Sequence, residues 1–138
     1  MVILSFDIAT RTGFAAGTKQ TGVEERGSFS CKSYVEGRKR FRELMDRWKP
    51  DIVITAMPTR HYNVTRKLSE ITGVMLVEAE ARGIKVEKNL VDSSCKKAVI
   101  GKGNAKKPEI CAYFNEEDED AADAMMFFTY WVQEKFLK

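Results

Sequence analysis

Met1-Val2-Ile3-Leu4-Ser5-Phe6-Asp7-Ile8-Ala9-Thr10 is the stretch on which the reading of this chain turns. Val2 to Phe6 is a short apolar run bounded by an acid and turn-prone residues, the pattern of a buried strand. Thr12-Gly13-Phe14-Ala15-Ala16-Gly17 reads as its neighbour and Gly22 to Ser30 as a third strand, so the chain is expected to open as an antiparallel meander. Asp7 stands at the end of the first strand. Taken alone it is ambiguous, because an acid at a strand end is often a turn residue.

Beyond the meander, Phe41, Leu44, Met45 and Trp48 fall at i, i+3, i+4 and i+7, one apolar stripe of a helix over 35 to 48, with Arg38, Lys39, Arg40 and Arg42 mostly off it. Lys49-Pro50 closes that helix, since the residue before proline is pushed out of the α region. Asp51-Ile52-Val53-Ile54-Thr55-Ala56 is β-branched and nearly continuously apolar, which predicts a central parallel strand covered on both faces. After a loop from Met57 to Tyr62, Asn63 is placed to cap a long helix carrying Val64, Leu68, Ile71 and Met75, ended by Gly83. Ile84 to Leu90 reads as a further strand. Asp92 or Ser93 is expected to cap a short helix containing Lys96, Lys97, Val99 and Ile100, and Pro108 suits the first turn of another. From Asp118 to Phe136 the apolar residues Met125, Phe128, Tyr130, Trp131, Val132 and Phe136 are too many for one narrow stripe, so the last helix should be largely buried. A meander followed by strand, helix, strand and closing helices predicts an α/β fold, a mixed sheet with helices on its faces. This order of elements resembles the ribonuclease H-like arrangement.

Composition bounds the answer. A chain of 138 residues, 43% hydrophobic and 10% aromatic, can bury one sizeable core, and a single domain over 1–138 is expected. No apolar run reaches the roughly 18 residues of a membrane helix, and the N-terminus lacks the charged start and cleavage site of a secretory signal. The expectation is a soluble protein of the cytoplasm with no membrane partner. Cys31, Cys95 and Cys111 are odd in number and widely spaced, so they signal neither a disulfide framework nor a zinc site. Charge is uneven. Residues 116 to 123 hold six acids, leaving 23 basic against 14 acidic residues elsewhere, a balance of +9 behind a formal net charge of +3. A basic body around one acidic focus suits a phosphodiester backbone meeting a metal site.

That focus contains Asp120 and Asp123. Three residues apart at about 100° each, they lie about 60° apart on one face at the start of a helix, close enough to converge on one ion. Acids also favour a helix N-terminus for its dipole, which accounts for Asp118 and Glu119. Asp7, Asp120 and Asp123 together are the candidate metal ligands, because Mg²⁺ takes oxygen ligands and keeps waters for phosphate substrates. Two carboxylate-held cations can activate a water on one side of a phosphodiester and stabilise the leaving oxygen on the other. Such a site usually needs a fourth acid at the end of the central strand. There the chain reads Thr55-Ala56-Met57-Pro58.

Ile3-Leu4-Ser5-Phe6-Asp7-Ile8-Ala9-Thr10-Arg11-Thr12-Gly13-Phe14 resembles the opening strand and turn of the RuvC-type Holliday junction resolvases. Asp120-Ala121-Ala122-Asp123-Ala124 matches the closing motif of that family, and Val99-Ile100-Gly101-Lys102-Gly103-Asn104-Ala105-Lys106-Lys107 is similar to its basic loop. The resemblance spans nearly the whole chain, and the short length suggests a compact, phage-type member in a bacterium or a phage-infected cell. It implies a five-stranded ribonuclease H-like fold and a homodimeric, Mg²⁺-dependent endonuclease, with Mn²⁺ as substitute and no small-molecule cofactor. The implied partner is four-way branched DNA, nicked symmetrically on two strands. The resemblance also implies a glutamate where this chain has Ala56. Alanine cannot bind a cation, so the polypeptide should be weakly active or inactive, as an engineered trap or a natural inactive homologue would be.

Among the basic residues, Lys107 matches the family's catalytic-site lysine, and Lys96, Lys102 and Lys106 flank the loop the resemblance places near the scissile phosphate, as DNA-binding residues. Arg60, His61 and Tyr62 follow the central strand where relatives insert a side chain at the junction centre. They imply a phosphate contact and base stacking. Part of the Val64-Leu68-Ile71-Met75 stripe is implied to meet a two-fold mate, although core packing explains the same pattern. The alternatives are a ribonuclease H-like enzyme acting on RNA or hybrids, and a branched-DNA-binding protein that does not cut. A sugar-kinase-like ATPase would need a second domain.

Overall fold

The computed structural model describes residues 1–56 and 62–136. In chain order its elements are β1 (Val2–Asp7), β2 (Arg11–Thr18), β3 (Gly22–Ser30), α1 (Tyr34–Trp48), β4 (Ile52–Ala56), α2 (Tyr62–Ala81), β5 (Lys85–Leu90), α3 (Asp92–Val99), α4 (Lys107–Phe114) and α5 (Glu119–Phe136). The strands form one five-stranded sheet in the order β3-β2-β1-β4-β5. β1 pairs antiparallel with β2 and parallel with β4. β3 extends the antiparallel side and β5 the parallel side. The mixed sheet with helices on both faces is the α/β architecture the sequence pattern predicts.

Alternation along the strands divides the core in two. Leu4 and Phe6 point with Phe14, Phe29 and Val53 toward Phe41, Leu44 and Met45 of α1 and Ile71, Met75 and Ala79 of α2. Ile3, Ala15, Ile52 and Ile54 point the other way, toward Cys95 and Val99 of α3, Ile110 of α4 and the face of α5 that carries Ala122, Met126, Phe127 and Trp131. Each large side chain so buried contributes about 1.5–3 kcal/mol. Ser5 and Asp7 continue the row of Ile3, so the polar residues of β1 face α5.

Local signals set most of the boundaries. Ser33 caps α1 by accepting from the Glu36 N–H at 3.3 Å, and Lys49 ends it in the left-handed region with φ 47°. Gly83, at φ 68°, closes the end of α2 with its N–H on the Glu80 carbonyl. Two expected caps differ. α2 begins at Tyr62, which places Asn63 inside its first turn. Val91 occupies the cap position of α3 with extended backbone, so Asp92 is the first helical residue, and its carboxylate pairs with Lys96 Nζ at 2.7 Å. The thiols are free, with Cys31 and Cys95 buried and Cys111 half-buried. Among the described residues, no helix is long and apolar enough to cross a membrane.

Candidate active site

The site begins with the way α5 is held on the sheet. Asp118 caps this helix, its Oδ1 accepting from the N–H groups of Asp120 at 3.0 Å and Ala121 at 3.2 Å. Its Oδ2 accepts from Ser28 Oγ of β3 at 2.6 Å, and Arg26 of the same strand pairs with Glu116. Burial works to raise the Asp118 carboxyl, but the bonds from Ser28, Ala121 and Asp120 hold it below the ordinary range. Deeper in, Ser5 Oγ of β1 donates to the Ala124 carbonyl at 2.8 Å, a buried bond. The helix comes this close because its inner residues are small, with Ala121, Ala122 and Ala124 fully buried. At Gly13 of β2 even a methyl is too much, since a Cβ there would overlap the backbone carbonyl of Asp120.

The consequence is that Asp123, one turn into α5, is buried against Asp7 at the end of β1, and the two carboxyls lie within hydrogen-bonding reach of one another. Burial, reinforced by the charge of Asp123, pushes the Asp7 carboxyl well above the usual range. Lys107 Nζ stands 3.3 Å from Asp123 Oδ2. Partial burial alone would lower the Lys107 ammonium, but Asp123, Asp120 and Asp7 together raise it above its ordinary value.

These groups line a cleft of about 250 Å³ at the carboxyl ends of β1 and β4. Its charged lining is Asp7, Asp92, Asp123, Lys96 and Lys107, with Thr55 and Ala56 on the β4 side and Ile110 and Phe127 as apolar wall. The register sets Phe6 opposite Thr55, so Ala56 comes next to Asp7, and it packs on the same core as Ile52 and Ile54. The residue at the expected position of a fourth acid therefore stands beside Asp7.

Of the expected site residues, the fold brings Asp7, Ala56, Lys96, Lys107 and Asp123 into one cleft. Asp120 is half-buried at the start of α5 and does not line it, although its charge reaches Lys107. Burial raises the Asp120 carboxyl above its usual value. Lys102 is exposed and paired with Glu109 at 3.2 Å, and Lys106 is exposed at the cap position of α4. Arg60 and His61 lie outside the described residues, as does the side chain of Tyr62. Among the described residues, no three or more His, Cys, Asp or Glu side chains are gathered closely enough to hold a metal ion. Two of the three expected acids meet. Such a pair fits one Mg²⁺, which is commonly held through one or two carboxylates with waters and substrate phosphate completing its shell.

No protein-family model and no curated protein matches the chain. Solved structures do. The Thermus thermophilus RuvC structure superposes with a TM-score of 0.73 at 17% identity, over 97% of this chain and 96% of that one. T. thermophilus RuvC in complex with a Holliday junction substrate gives 0.76 at 16% identity, over 98% and 95%. The fowlpox virus resolvase in complex with its substrate Holliday junction DNA gives 0.63 at 16% identity, over 99% of each chain. The fold is that of the RuvC-type resolvases.

On this RuvC-type fold, two contributions to the cleft escape a reading of the sequence. Asp92 reads as a helix cap, but it follows Leu90, the partner of Ala56, by two residues and so leaves the sheet beside the cleft. The signal for it was its place just beyond a parallel strand, the end where open α/β sheets bind ligands. Leu68 reads as core packing, yet it lines the cleft as well, together with Thr72 of the same helix.

Proposed function

We propose that the chain is a Mg²⁺-dependent endonuclease of the RuvC type that resolves four-way DNA junctions by paired symmetric nicks, in a form weakened by Ala56. The observation that carries this reading is the contact of Asp7 with Asp123, brought from opposite ends of the chain to one buried point beside Lys107. Two carboxyls held this close repel one another as anions unless a cation lies between them. Mg²⁺, or Mn²⁺ in its place, would be held by Asp7 and Asp123, with Asp120 at the edge, and would supply an activated water and charge stabilisation at the leaving oxygen. Lys107 is set to meet the negative charge that develops on the phosphate. Lys96, Lys102 and Lys106 follow the DNA backbone, and Arg60, His61 and Tyr62 contact the junction centre by phosphate pairing and stacking.

A homodimer places two such clefts on one junction. Support for it comes from Tyr34, Val35 and Val77, 54%, 65% and 63% exposed, which border a groove between α1 and α2. Sedimentation of the protein and of a Val77→Glu variant tests the pairing, with loss of the dimer expected in the variant.

Ala56 favours one second reading, a protein that binds branched DNA without cutting it. Restoring the acid separates the two. With Mg²⁺, an Ala56→Glu variant is expected to nick four-way junctions in symmetry-related strands and to leave RNA–DNA hybrids intact. Junction binding without any cleavage would leave the binding reading standing, and preference for hybrids would assign a ribonuclease.

A further inference from the structure

Arg11 opens β2 at the end of the sheet where Asp7 closes β1, and it is exposed. Alternation puts it in the row of Gly13 and Ala15, the row that faces α5, so it stands in front of the first turn of that helix. Its charge reaches Asp118 and Asp120. Among the described residues, each of the other arginines has a carboxylate oxygen within 3.8 Å, as Arg26 of β3 has that of Glu116. Arg11 has a hydroxyl instead. Its Nε donates to Ser28 Oγ at 3.0 Å, and Ser28 Oγ donates in turn to Asp118 Oδ2 at 2.6 Å. A hydroxyl fixes the direction of the side chain without cancelling its charge, whereas a carboxylate would do both. The Nη donors remain for another partner. A guanidinium anchored this way has already lost part of the rotamer freedom that binding costs, and its fork matches two oxygens of a phosphate.

Sheet order sets this group across the cleft from the lysine of α3. Lys96 follows β5 on one side of β1, and Arg11 lies on β2 on the other. Glu117 and Glu119 are exposed on the segment leading into α5, so a DNA backbone passing the β2 side needs a cation to hold it there. We propose that Arg11 binds a phosphate flanking the scissile one on the β2 side of the cleft, so that the DNA strand is gripped on both sides of Asp7. Ser28 and Asp118 are its positioning residues. The inference rests on the reading of the chain as a junction nuclease and adds to it the path of the strand over the site.

Anisotropy of a labelled four-way junction, titrated with the unaltered chain and its variants at several salt concentrations without divalent cations, tests this apart from cleavage. Arg11→Met is expected to weaken binding about tenfold at moderate salt and to lower the slope of log affinity against log salt by about one, the share of one phosphate contact. Ser28→Ala should weaken binding about threefold with the slope unchanged, because the charge stays and only its aim is lost. Neutral methylphosphonates placed one at a time near the branch point locate the contact, since at one position the Arg11→Met penalty should vanish. An unchanged slope in Arg11→Met, or a penalty that persists at every position, would overturn the inference. If Lys102→Ala lowers the slope and Arg11→Met does not, the inference falls and the nuclease reading stands. If the unaltered protein does not bind the junction, both fall. The melting temperature should hold in Arg11→Met, and a loss of affinity that follows a loss of stability with the slope unchanged would assign Arg11 to holding α5 instead.

Discussion

The two faces of the sheet are built on opposite terms. Against α1 and α2 the sheet packs rings, Phe6 on Phe41 edge to face at 5.0 Å and Phe29 on Phe41 at 5.9 Å, and the charges above them are satisfied in pairs. Glu78, buried in α2, accepts from Arg38 Nε at 2.8 Å and from Arg82 Nη1 at 2.7 Å. Against the first turns of α5 the same sheet meets alanines, with Ser5 and Asp7 of β1 facing the helix and two like-charged carboxyls side by side, while Met126, Phe127 and Trp131 fill the face farther along. One face maximises contact and neutralises charge. The other gives up side-chain volume so that a helix backbone can come down on β1 and β2, and there it brings like charges together. A fold stabilised by the first face can hold the second in a geometry it would not adopt alone.

Breaking each face separately sharpens the contrast. The largest effect should come from Asp7→Asn or Asp123→Asn made in the Ala56→Glu background, with junction cleavage falling on the order of 10⁴-fold, as loss of a central catalytic carboxylate does. The melting temperature of these variants should hold or rise, because a buried like-charge pair is relieved. Phe41→Ala should do the reverse, lowering stability by about 3–5 kcal/mol in denaturant titrations while the folded fraction keeps its cation affinity. Gly13→Ala bridges the two faces' behaviours. It should cost about 1–3 kcal/mol through overpacking and also weaken cation binding, since α5 must lift from β2 and carry Asp123 away from Asp7.

Acid titration without divalent cations should show the faces pulling in opposite directions. The Asp7 carboxyl is raised in the folded state, so between the ordinary value of about 4 and its raised value the folded protein holds a proton that the unfolded chain has lost. Stability on this account falls as pH rises through that window, and Asp7→Asn should remove the fall. Glu78 is lowered, chiefly by its bond to Arg38, so it contributes stability above about pH 4.3 that is lost as pH falls. Glu78→Gln should flatten the acid limb of a plot of melting temperature against pH. The smallest expected effect is at the basic loop, where Lys102→Ala should weaken junction binding about equally across sequences and reduce the slope of affinity with salt by about one.

Much of this molecule is written in local order. The alternation in β1, the run at Ile52–Ile54, the stripe of Phe41, Leu44 and Met45, and the breaks at Pro50 and Gly83 are near-neighbour effects of burial and backbone freedom, so the sequence alone places the elements and both ends of the candidate site. It also shows that Ala56 brings no carboxylate where one is expected. What it could not decide was which charges meet. Asp120 and Asp123 look equivalent at a spacing of three, and only the seating of α5, set by Gly13, the buried alanines and the Ser5 bond, turns Asp123 onto Asp7 and leaves Asp120 off the lining of the cleft. Asp92 likewise reads as a cap until the pairing of β5 with β4 brings it round to the cleft. Periodicity depends on residues a few positions apart and survives in one dimension. The proximity of charges from β1, α3 and α5 depends on how closely helices approach a sheet, which only the packed fold determines.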